Sequence, residues 1–373
     1  MPALPMDLDA LETLARERLP AAAYDFYAGG AHDEITLREN RRAFDRLLLR
    51  PHVLAGVGAR DLSTTLLGVR RPHPICISPM AFHGMAHAGG EVSTARGAAA
   101  AEATLAVSLF SNASIEEIRA AAGGPLWSHV YIFRDRGVTR ELVQQVEAAG
   151  VEALVVTVDA PLYGHRPRDV RNGFAAPPHL ELGTLGPAAR ARLGSATPVE
   201  VDDYFLSQVD PSLGWRDIAW LRSITKLPLL LKGILRGDDA ACAVDHGAAG
   251  VIVSNHGGRQ LDTAIPSIAA LPEVAEAVAG RADVLLDSGV RRGTDVLKAL
   301  ALGARAVMVG RPILWGLAAG GEAGVTHVLE TLRRELDLAM ALCGCANLAA
   351  ITPDLIWRGD TTGQRWPGTA SGE

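Results

Sequence analysis

Residues 228–255 read PLLLKGILRGDDAACAVDHGAAGVIVSN, and this stretch contains the repeat that decides the fold. It begins with a short apolar run at 228–234 and ends with a second run at 250–255, with a stretch of helical composition between them. A short apolar run bounded by turn residues is typical of a strand buried in a parallel sheet. Strands that alternate with helices indicate βα units, so we interpret this stretch as one βα unit followed by the next strand.

The same pattern recurs along the chain. Apolar runs that precede helical stretches occupy 74–79, 104–109, 126–132, 153–159, 228–234, 250–255, 283–289 and 306–310. Eight such units predict an α/β fold of the (β/α)8 TIM barrel type, which takes about 250 residues. A doubly wound open sheet is the alternative architecture.

Helical spacing dominates the chain before the first of these runs. Leucines in 7–19 predict a helix that is capped by Asp7 and stopped by Pro20. A second short helix should end at Gly29-Gly30, and a third should begin near Asp33-Glu34. We therefore expect one domain over 1–373, with a helical extension over about 1–70, a barrel over about 71–350 and a C-terminal tail over about 351–373.

The longest interval between predicted strands, 160–227, follows the fourth strand. It contains paired prolines and several glycines, and then a helical stretch around Trp215 to Ser223. Long loops in compact domains usually act as lids or are disordered. We expect a mobile lid at about 176–210.

Composition narrows the classes of protein. The chain has 373 residues, 48% of them apolar, and a net charge of −6 from 36 basic and 42 acidic residues. This balance argues against nucleic acid or an anionic membrane as the main partner. The four cysteines fit neither a zinc pattern nor a disulfide framework, and we find neither a leader sequence nor a transmembrane run. We expect a cytoplasmic protein without a metal site.

Residues 254–262 read SNHGGRQLD and directly follow the sixth predicted strand. They place the imidazole of His256 three positions before the guanidinium of Arg259, and the intervening glycines allow the backbone to approach a ligand closely. A base beside a group that binds carboxylates, at the end of a strand, indicates an active site. A single His or Arg in a glycine-rich loop is usually structural, so this interpretation depends on partners elsewhere in the barrel.

The other strand ends supply such partners. The active sites of these barrels lie at the C-terminal ends of the strands, and the loops after strands seven and eight often bind phosphate. Chemically suitable residues at these ends are Ser78, Pro79, Met80, Ser108, His129, Tyr131, Thr157, Asp159, Arg166, Lys232, Ser254, His256, Arg259, Asp287, Gly289, Arg291, Gly310 and Arg311. Lys232, which lies in an almost wholly apolar strand, could form a Schiff base or face a negative charge that develops on a cofactor.

Four of these segments together resemble one family. They are Ser254 to Asp262, Lys232-Gly233, Asp287 to Gly293 and Gly310-Arg311-Pro312. The chain is similar in them to the FMN-dependent α-hydroxy acid oxidases and dehydrogenases, which include enzymes that act on glycolate, lactate and mandelate. The similarity extends from about Leu19 to Ile351.

The resemblance implies roles for individual residues. His256 would be the catalytic base on a 2-hydroxy acid, with Asp159 orienting its imidazole. Arg166 and Arg259 would hold the substrate carboxylate, and Tyr131 would hydrogen-bond the reacting oxygen. Lys232 would lie near the N1–O2 edge of FMN and stabilise the anionic reduced ring. Contacts with the rest of FMN would come from Ser78, Pro79, Met80, Ser108, His129, Thr157, Ser254, Asp287, Gly289, Arg291, Gly310 and Arg311.

Three positions depart from the family pattern. Phe26 stands where glycolate-type enzymes have a substrate-binding tyrosine, and Phe110 replaces a tryptophan near the substrate. His129 replaces a glutamine that bonds the pyrimidine end of the flavin, so the bonding of that edge is in doubt, although an imidazole N–H could still donate. The two phenylalanines remove polar groups and favour a larger or more apolar substrate.

The leading hypothesis is an FMN enzyme that oxidises an (S)-2-hydroxy acid to a 2-oxo acid, with dioxygen as acceptor and peroxide as product. Another electron acceptor is the alternative to dioxygen. The leading hypothesis favours aromatic or bulky substrates such as mandelate, and a glycolate- or lactate-type oxidase is the alternative. A cofactor-free aldolase or isomerase using Lys232, or a non-enzymatic flavin-binding relative, would belong to another functional class. The resemblance also implies a homo-oligomer, a tetramer.

Overall fold

The chain before the barrel forms three helices and then three short strands. The helices are α1 (Leu8–Arg18), α2 (Ala21–Ala28) and α3 (Ile35–Asp45), and the strands are β1 (Leu48–Leu49), β2 (Thr64–Leu66) and β3 (Val69–Arg71). The side chain of Asp7 caps α1 as predicted, by accepting a hydrogen bond of 3.0 Å from the backbone N–H of Asp9. The segment over about 1–70 was expected to be helical, but it is helical only as far as Asp45. Beyond that point, β2 and β3 form an antiparallel hairpin.

Eight parallel strands form a closed barrel in this computed structural model, which describes residues 4–175, 180, 182–185 and 208–357. The barrel strands are β4 (Ile75–Ile77), β5 (Thr104–Val107), β6 (Leu126–Val130), β7 (Ala153–Thr157), β8 (Leu229–Ile234), β9 (Gly250–Val253), β10 (Asp283–Leu286) and β11 (Ala306–Val309). The last strand pairs with the first, with Val307 opposite Ile75 and Val309 opposite Ile77. This closure confirms the predicted TIM barrel and excludes the open sheet.

Helices follow the strands and surround the barrel. They are α4 (Gly90–Ala100), α5 (Ile115–Ala121), α6 (Arg136–Ala148), α7 (Pro167–Arg171), α8 (Trp215–Ile224), α9 (Gly237–Asp245), α10 (Ser267–Val278), α11 (Gly293–Ala301) and α12 (Arg311–Cys343). The helix expected around Trp215 is α8. The long helix α12 is interrupted by non-helical backbone at Gly320 and Gly321. Beyond α12, strand β12 (Ile356–Trp357) pairs with β1, so the start of the expected tail packs against the N-terminal extension.

Apolar side chains fill the inside of the barrel. One buried cluster contains Cys76, Ala106, Trp127, Ala153, Val155, Leu230, Ile252, Leu285, Ala306 and Met308. Leu66 of the β2–β3 hairpin belongs to this cluster and has no exposed surface, so the hairpin covers one end of the barrel. A larger second cluster lies between the strands and the helices. The barrel is therefore a packed core with no pore, and it offers a ligand room only at its ends.

Most of the predicted lid, 176–210, lies outside the described residues, so the lid stays a prediction. Of its described part, Leu182 and Leu185 are buried and Thr184 Oγ1 donates to the carbonyl of Leu109. Among the described helices, none is both long and apolar enough to cross a membrane. The same part of the chain contains no cluster of side chains suited to bind a metal.

Candidate active site

A cavity opens at the carboxyl ends of the barrel strands. Its empty volume is about 1200 Å³, which includes the open mouth. The predicted site residues that line it are Phe26, Ser78, Pro79, Met80, Ser108, Phe110, His129, Tyr131, Thr157, Arg166, Lys232, His256, Arg259, Asp287, Gly289, Arg291, Gly310 and Arg311. The two that do not line it, Asp159 and Ser254, both bond to His256. The sequence therefore predicted residues that lie around one site.

The floor of this cavity follows from the alternation of side chains along a strand. Side chains two positions apart on a strand share a face, so each inward apolar residue is followed two positions later by another inward residue. These pairs are Cys76 and Ser78, Ala106 and Ser108, Trp127 and His129, Val155 and Thr157, Leu230 and Lys232, Ile252 and Ser254, Leu285 and Asp287, and Met308 and Gly310. A layer of polar or small residues thus covers the apolar interior at the end where the cavity opens.

His256 and Asp159 form a hydrogen-bonded pair beside the cavity. His256 Nδ1 lies 3.0 Å from Asp159 Oδ1, and His256 lines the cavity while Asp159 stands behind it. Burial lowers the pKa of His256, and the charge of Asp159 offsets only part of this effect. Burial acts to raise the pKa of Asp159, but His256 and Lys232 outweigh it and keep that pKa below its usual range. The pair is therefore a neutral imidazole whose Nδ1–H donates to a carboxylate, which leaves Nε2 as a proton acceptor.

The backbone of His256 is strained. Its φ of 59° is in the left-handed region, which residues other than glycine rarely adopt. The backbone N–H of His256 donates to Ser254 Oγ at 3.0 Å, and the same oxygen accepts a 3.0 Å bond from Lys232 Nζ. Ser254 therefore links the strained turn to the charged floor of the barrel.

Lys232 is buried in an ion pair. Its Nζ lies 3.0 Å from Asp287 Oδ2, and the lysine is only 4% exposed. Burial alone would lower the pKa of Lys232, but Asp287 and Asp159 outweigh it and raise that pKa. An amine must be neutral to form a Schiff base, so this environment disfavours the cofactor-free aldolase hypothesis.

Arg166 and Arg259 present two guanidinium groups to the same cavity. Arg259 Nη1 donates to the carbonyls of Phe26 and Gly29, and its Cζ lies 4.9 Å from the centroid of the Phe26 ring. Arg166 Nε donates to the carbonyl of Arg259 at 3.3 Å. These contacts hold both cationic groups beside His256, where they suit a carboxylate because guanidinium binds it in a bidentate manner.

Aromatic rings form one wall of the cavity. Phe82 lies between Phe26 and Phe110, with centroid distances of 5.9 and 6.1 Å, and Phe110 meets Tyr131 edge-on at 5.8 Å. Phe26 also stacks on Phe174 at 4.3 Å. Residues 26 and 110 therefore belong to a continuous apolar surface, to which Phe82 adds a ring that the sequence analysis missed.

His129 bonds to protein groups at both ring nitrogens. Its Nδ1 accepts from the backbone N–H of Leu109 at 3.4 Å, which leaves Nε2–H to donate to Thr157 Oγ1 at 2.8 Å. Burial, then the charges of Lys232 and His256, lower the pKa of His129 to about 3, so its ring is neutral. The imidazole N–H that was expected to reach a flavin carbonyl is thus directed at Thr157, whose side chain also hydrogen-bonds to Tyr131.

Two arginines lie together where the ends of β10 and β11 meet the cavity. Burial, then the charges of Arg259 and Arg291, lower the pKa of Arg311 to about 9, and burial lowers that of Arg291. Arg311 donates to the carbonyls of Tyr27, Gly29 and Gly257, and within the described residues neither arginine has a carboxylate within ion-pair distance. This arrangement suits a phosphate dianion, which would supply the missing negative charge.

Other features of the cavity also fit FMN. Ser78 Oγ is buried and has no hydrogen-bond partner among the described residues, which suits a polar atom of a ligand. Gly289 has a φ of +100°, and a side chain there would meet the carbonyl of Asn40 at 2.5 Å. The backbone therefore needs glycine beside the arginine pair.

Several residues of the cavity were missed by the sequence analysis. Tyr27, Phe82, Ala160, Tyr163, Gln260, Val290, Met308 and Leu314 also line it. The glycines at 257 and 258 indicated the turn that follows β9. No such signal pointed to Phe82 and Tyr163, which lie in loops with no periodic pattern. Tyr163 hydrogen-bonds to Arg166, a contact that sequence spacing alone did not identify.

Comparison with known proteins gives one consistent result. A family profile described as FMN-dependent dehydrogenase matches residues 15–358. The chain is 51% identical to an L-lactate oxidase of Nostoc sp., covering 93% of this chain and 96% of that protein. It is 48% identical to glycolate oxidase 1 of Zea mays, covering 91% and 92%. A crystal structure of mandelate oxidase with (S)-4-hydroxymandelic acid aligns with a TM-score of 0.87 at 42% identity, covering 94% of this chain and 98% of that one.

Proposed function

The chain belongs to the FMN-dependent dehydrogenase family, and from this premise we propose that it oxidises an (S)-2-hydroxy acid to a 2-oxo acid with dioxygen as acceptor. The substrate loses two electrons and two protons, and dioxygen takes them up as hydrogen peroxide. The observation that carries the proposal is the placement of the His256–Asp159 pair beside Arg166 and Arg259 in one cavity. FMN supplies the two-electron chemistry when bound.

The side chains divide the remaining work. Arg166 and Arg259 hold the substrate carboxylate, so that its hydroxyl-bearing carbon lies beside His256. His256 Nε2 accepts a proton from the substrate, and Asp159 stabilises the imidazolium that forms. Tyr131 donates to the reacting oxygen, since burial raises its pKa and keeps the phenol protonated.

The floor of the cavity holds the cofactor in this proposal. Lys232 and Asp287 would hold the ring and ribityl chain, and Arg291 and Arg311 would bind the phosphate, with backbone contacts at Gly289 and Gly310. Thr157 would contact the cofactor together with His129, to which it is hydrogen-bonded. Ser78, Pro79, Met80, Ser108, His129 and Ser254 complete the contacts.

The substrate side chain is the less constrained part of the proposal. The aromatic wall around Phe26 and Phe110 supports a bulky or aromatic 2-hydroxy acid such as mandelate. Similarity to lactate and glycolate oxidases supports a small 2-hydroxy acid as the second candidate. We favour the bulky acid because both departures, at positions 26 and 110, leave an aromatic ring that has no hydrogen-bonding group.

Turnover of a panel of acids in air tests the proposal. Purified holoenzyme should produce peroxide from (S)-mandelate and from the S isomers of smaller 2-hydroxy acids, with kcat/KM highest for the bulky acids. (R)-Mandelate is the matched control for handedness, and 2-methoxy-2-phenylacetate is the control for the hydroxyl group. Absence of both peroxide and anaerobic flavin bleaching with every acid would refute the proposed reaction, whereas a best rate with glycolate would refute only the substrate preference.

A further inference from the structure

Phe82 occupies the middle of the aromatic wall. Its ring centroid lies 5.9 Å from that of Phe26 and 6.1 Å from that of Phe110. Beyond these neighbours, Phe26 contacts Arg259 and Phe110 contacts Tyr131, so three phenyl rings connect the residues at the two ends. Phe82 lines the cavity and is 1% exposed, against 5% for Phe26 and 8% for Phe110. It is therefore the innermost ring of the three.

This order of residues decides which part of a bound substrate meets the Phe82 ring. In the proposed reaction Arg259 holds the carboxylate and Tyr131 holds the reacting oxygen, and these two residues lie at opposite ends of the wall. The substrate carbon that joins the two groups also carries the side chain. An apolar side chain gains free energy by leaving water for an apolar surface. It therefore packs against the middle of the wall, where Phe82 lies.

The backbone of Phe82 is strained. Its φ of 57° and ψ of 49° lie in the left-handed region, which residues other than glycine rarely adopt. Such strain persists only where the surrounding structure compensates it, and it is concentrated at sites that bind ligands. The fold therefore keeps a phenylalanine at a position that would suit glycine better.

Hydrogen bonds hold the loop of Phe82 on both sides. The backbone N–H of Phe82 donates to the carbonyl of Phe110 at 3.0 Å, and the hydroxyl of Tyr27 donates to the carbonyl of Phe82 at 2.5 Å. The next backbone N–H, that of His83, donates to Oε1 of the buried Glu91 at 3.0 Å. These bonds connect the loop to Phe110 and to the helix that carries Phe26, so the Phe82 ring cannot move aside for a larger ligand.

We propose that Phe82 is a specificity-determining residue that sets the depth of the substrate pocket. The phenyl group of an acid such as mandelate packs against its ring, whereas a side chain two methylene groups longer meets the same ring as an obstacle. The inference rests on the proposed function, because it requires a carboxylate at Arg259 and the reacting oxygen at Tyr131. It extends that function by naming the residue that limits the length of the side chain.

Two acids of different length measure the depth of the pocket. They are (S)-mandelate and (S)-2-hydroxy-4-phenylbutanoate, whose phenyl group lies two methylene groups further from the reacting carbon. We expect Phe82→Ala to raise the ratio of kcat/KM for the longer acid to kcat/KM for mandelate at least about 10-fold, the lower end of the effect of a methylene group in an apolar pocket. Phe82→Leu, which removes less of the side chain, should raise this ratio by a smaller factor.

The corresponding 2-oxo acids allow the same comparison without turnover. They are phenylglyoxylate and 2-oxo-4-phenylbutanoate, and their dissociation constants are measured from the change in the flavin absorbance of the holoenzyme. In Phe82→Ala, the affinity for the longer 2-oxo acid relative to phenylglyoxylate should rise about 10-fold. Phe82→Leu, which leaves a smaller cavity, carries the test if the alanine variant does not fold.

Phe174→Leu is the matched control for Phe82→Leu. Phe174 stacks on the ring of Phe26 at 4.3 Å, and Phe82 contacts the same ring, but Phe174 does not line the cavity. The Phe174→Leu variant should leave both the ratio of kcat/KM values and the ratio of dissociation constants unchanged.

Unchanged ratios in both Phe82→Ala and Phe82→Leu would overturn the proposal. A shift in Phe174→Leu as large as that in Phe82→Leu would also overturn it, because the loss of any ring beside Phe26 would then have the same effect. Failure of the proposed function has a different signature, in which no 2-hydroxy acid bleaches the flavin of the wild-type enzyme. The titrations with the 2-oxo acids still report on Phe82 in that case.

Discussion

Removing the phosphate from the cofactor tests the proposed phosphate site without a mutation. Riboflavin has the same ring and ribityl chain as FMN but carries no negative charge. We expect the apoprotein to bind riboflavin much more weakly than FMN. The reason is that Arg291 and Arg311 lie half-buried and close together at the end of the barrel, where they need an anion.

The size of the effect follows from the environment of Arg311. Its pKa is lowered from 12.5 to about 9, first by burial and then by Arg259 and Arg291. At about 1.4 kcal/mol per pKa unit, holding this charge costs roughly 4–5 kcal/mol in the absence of an anion. A phosphate dianion would offset part of this cost. We therefore expect riboflavin to bind about 10²- to 10³-fold more weakly than FMN, a difference in binding free energy of roughly 3–4 kcal/mol.

Titration of the apoprotein with each flavin, followed by quenching of flavin fluorescence, measures both dissociation constants. Arg311→Gln should weaken FMN binding to nearly the level of riboflavin and leave riboflavin binding almost unchanged. Arg305→Gln is the matched control. Arg305 directly precedes β11 and is exposed, whereas Arg311 follows the opposite end of the same strand. The Arg305→Gln variant should leave the affinities for FMN and for riboflavin unchanged.

Two results would refute the reasoning. One is riboflavin binding within about 10-fold of FMN in the wild-type protein, which would leave less than about 1.4 kcal/mol for the phosphate. The other is an Arg311→Gln protein that retains the full preference for FMN. Either result would show that Arg291 and Arg311 serve the fold and not the cofactor.

Three further predictions concern the reaction. His256→Gln should retain FMN but slow anaerobic flavin bleaching by substrate at least about 10²-fold, the lower limit for general base catalysis, and a normal rate in stopped flow would show that another group is the base. Burial lowers the pKa of His256, and the base acts when it is deprotonated, so the acid limb of the pH profile of kcat/KM should lie below pH 6.5. Asp159→Asn should move this limb lower still, because the charge of Asp159 raises the pKa of His256. An acid limb above pH 7 would contradict this assignment. Phe26→Tyr should improve kcat/KM for glycolate relative to mandelate. Burial of a phenyl-sized group favours mandelate by about 1.5–3 kcal/mol, and the added hydroxyl should offset part of this difference by improving the small acids. An unchanged ratio of the two kcat/KM values would count against the aromatic wall.

The barrel strands were predictable because each is an apolar run long enough to be distinguished from its surroundings. The predicted runs extend past the observed strands by up to three residues, as at Asp287-Ser288-Gly289, which follow the end of β10. Those extra residues include the layer of polar or small residues that covers the apolar interior of the barrel. A sequence pattern of apolar and polar residues does not show where the hydrogen-bonded ladder stops.

The β2–β3 hairpin was missed although a signal was present. Leu67 and Gly68 both have positive φ, 50° and 79°, as the two central residues of a tight hairpin turn require. Gly68 favours such a turn, but leucine does not, and each flanking strand has only three residues. The position of this hairpin is set by burial of Leu66 at the end of the barrel, which is a tertiary effect.

The orientation of His129 and the contact of Tyr163 with Arg166 could not be read from sequence spacing. His129 is on β6 and Thr157 is on β7, so their hydrogen bond depends on the register between two strands. Tyr163 is in a loop whose path over Arg166 no periodic pattern encodes. In both cases the residue type was visible, but its partner was not.

The register of the barrel also explains why the strained backbone of His256 is stable. The apolar layer fixes the strands, so Lys232, Ser254 and Asp287 meet at the same level two residues further on. Ser254 Oγ then accepts the backbone N–H of His256, and Asp159 accepts its imidazole. Removing one partner of a buried ion pair leaves an uncompensated charge, so the damage from a change at Asp287 should extend to the position of His256. His256 is thus held in its unfavourable conformation by the packing that closes the barrel, and the surrounding structure compensates the strain.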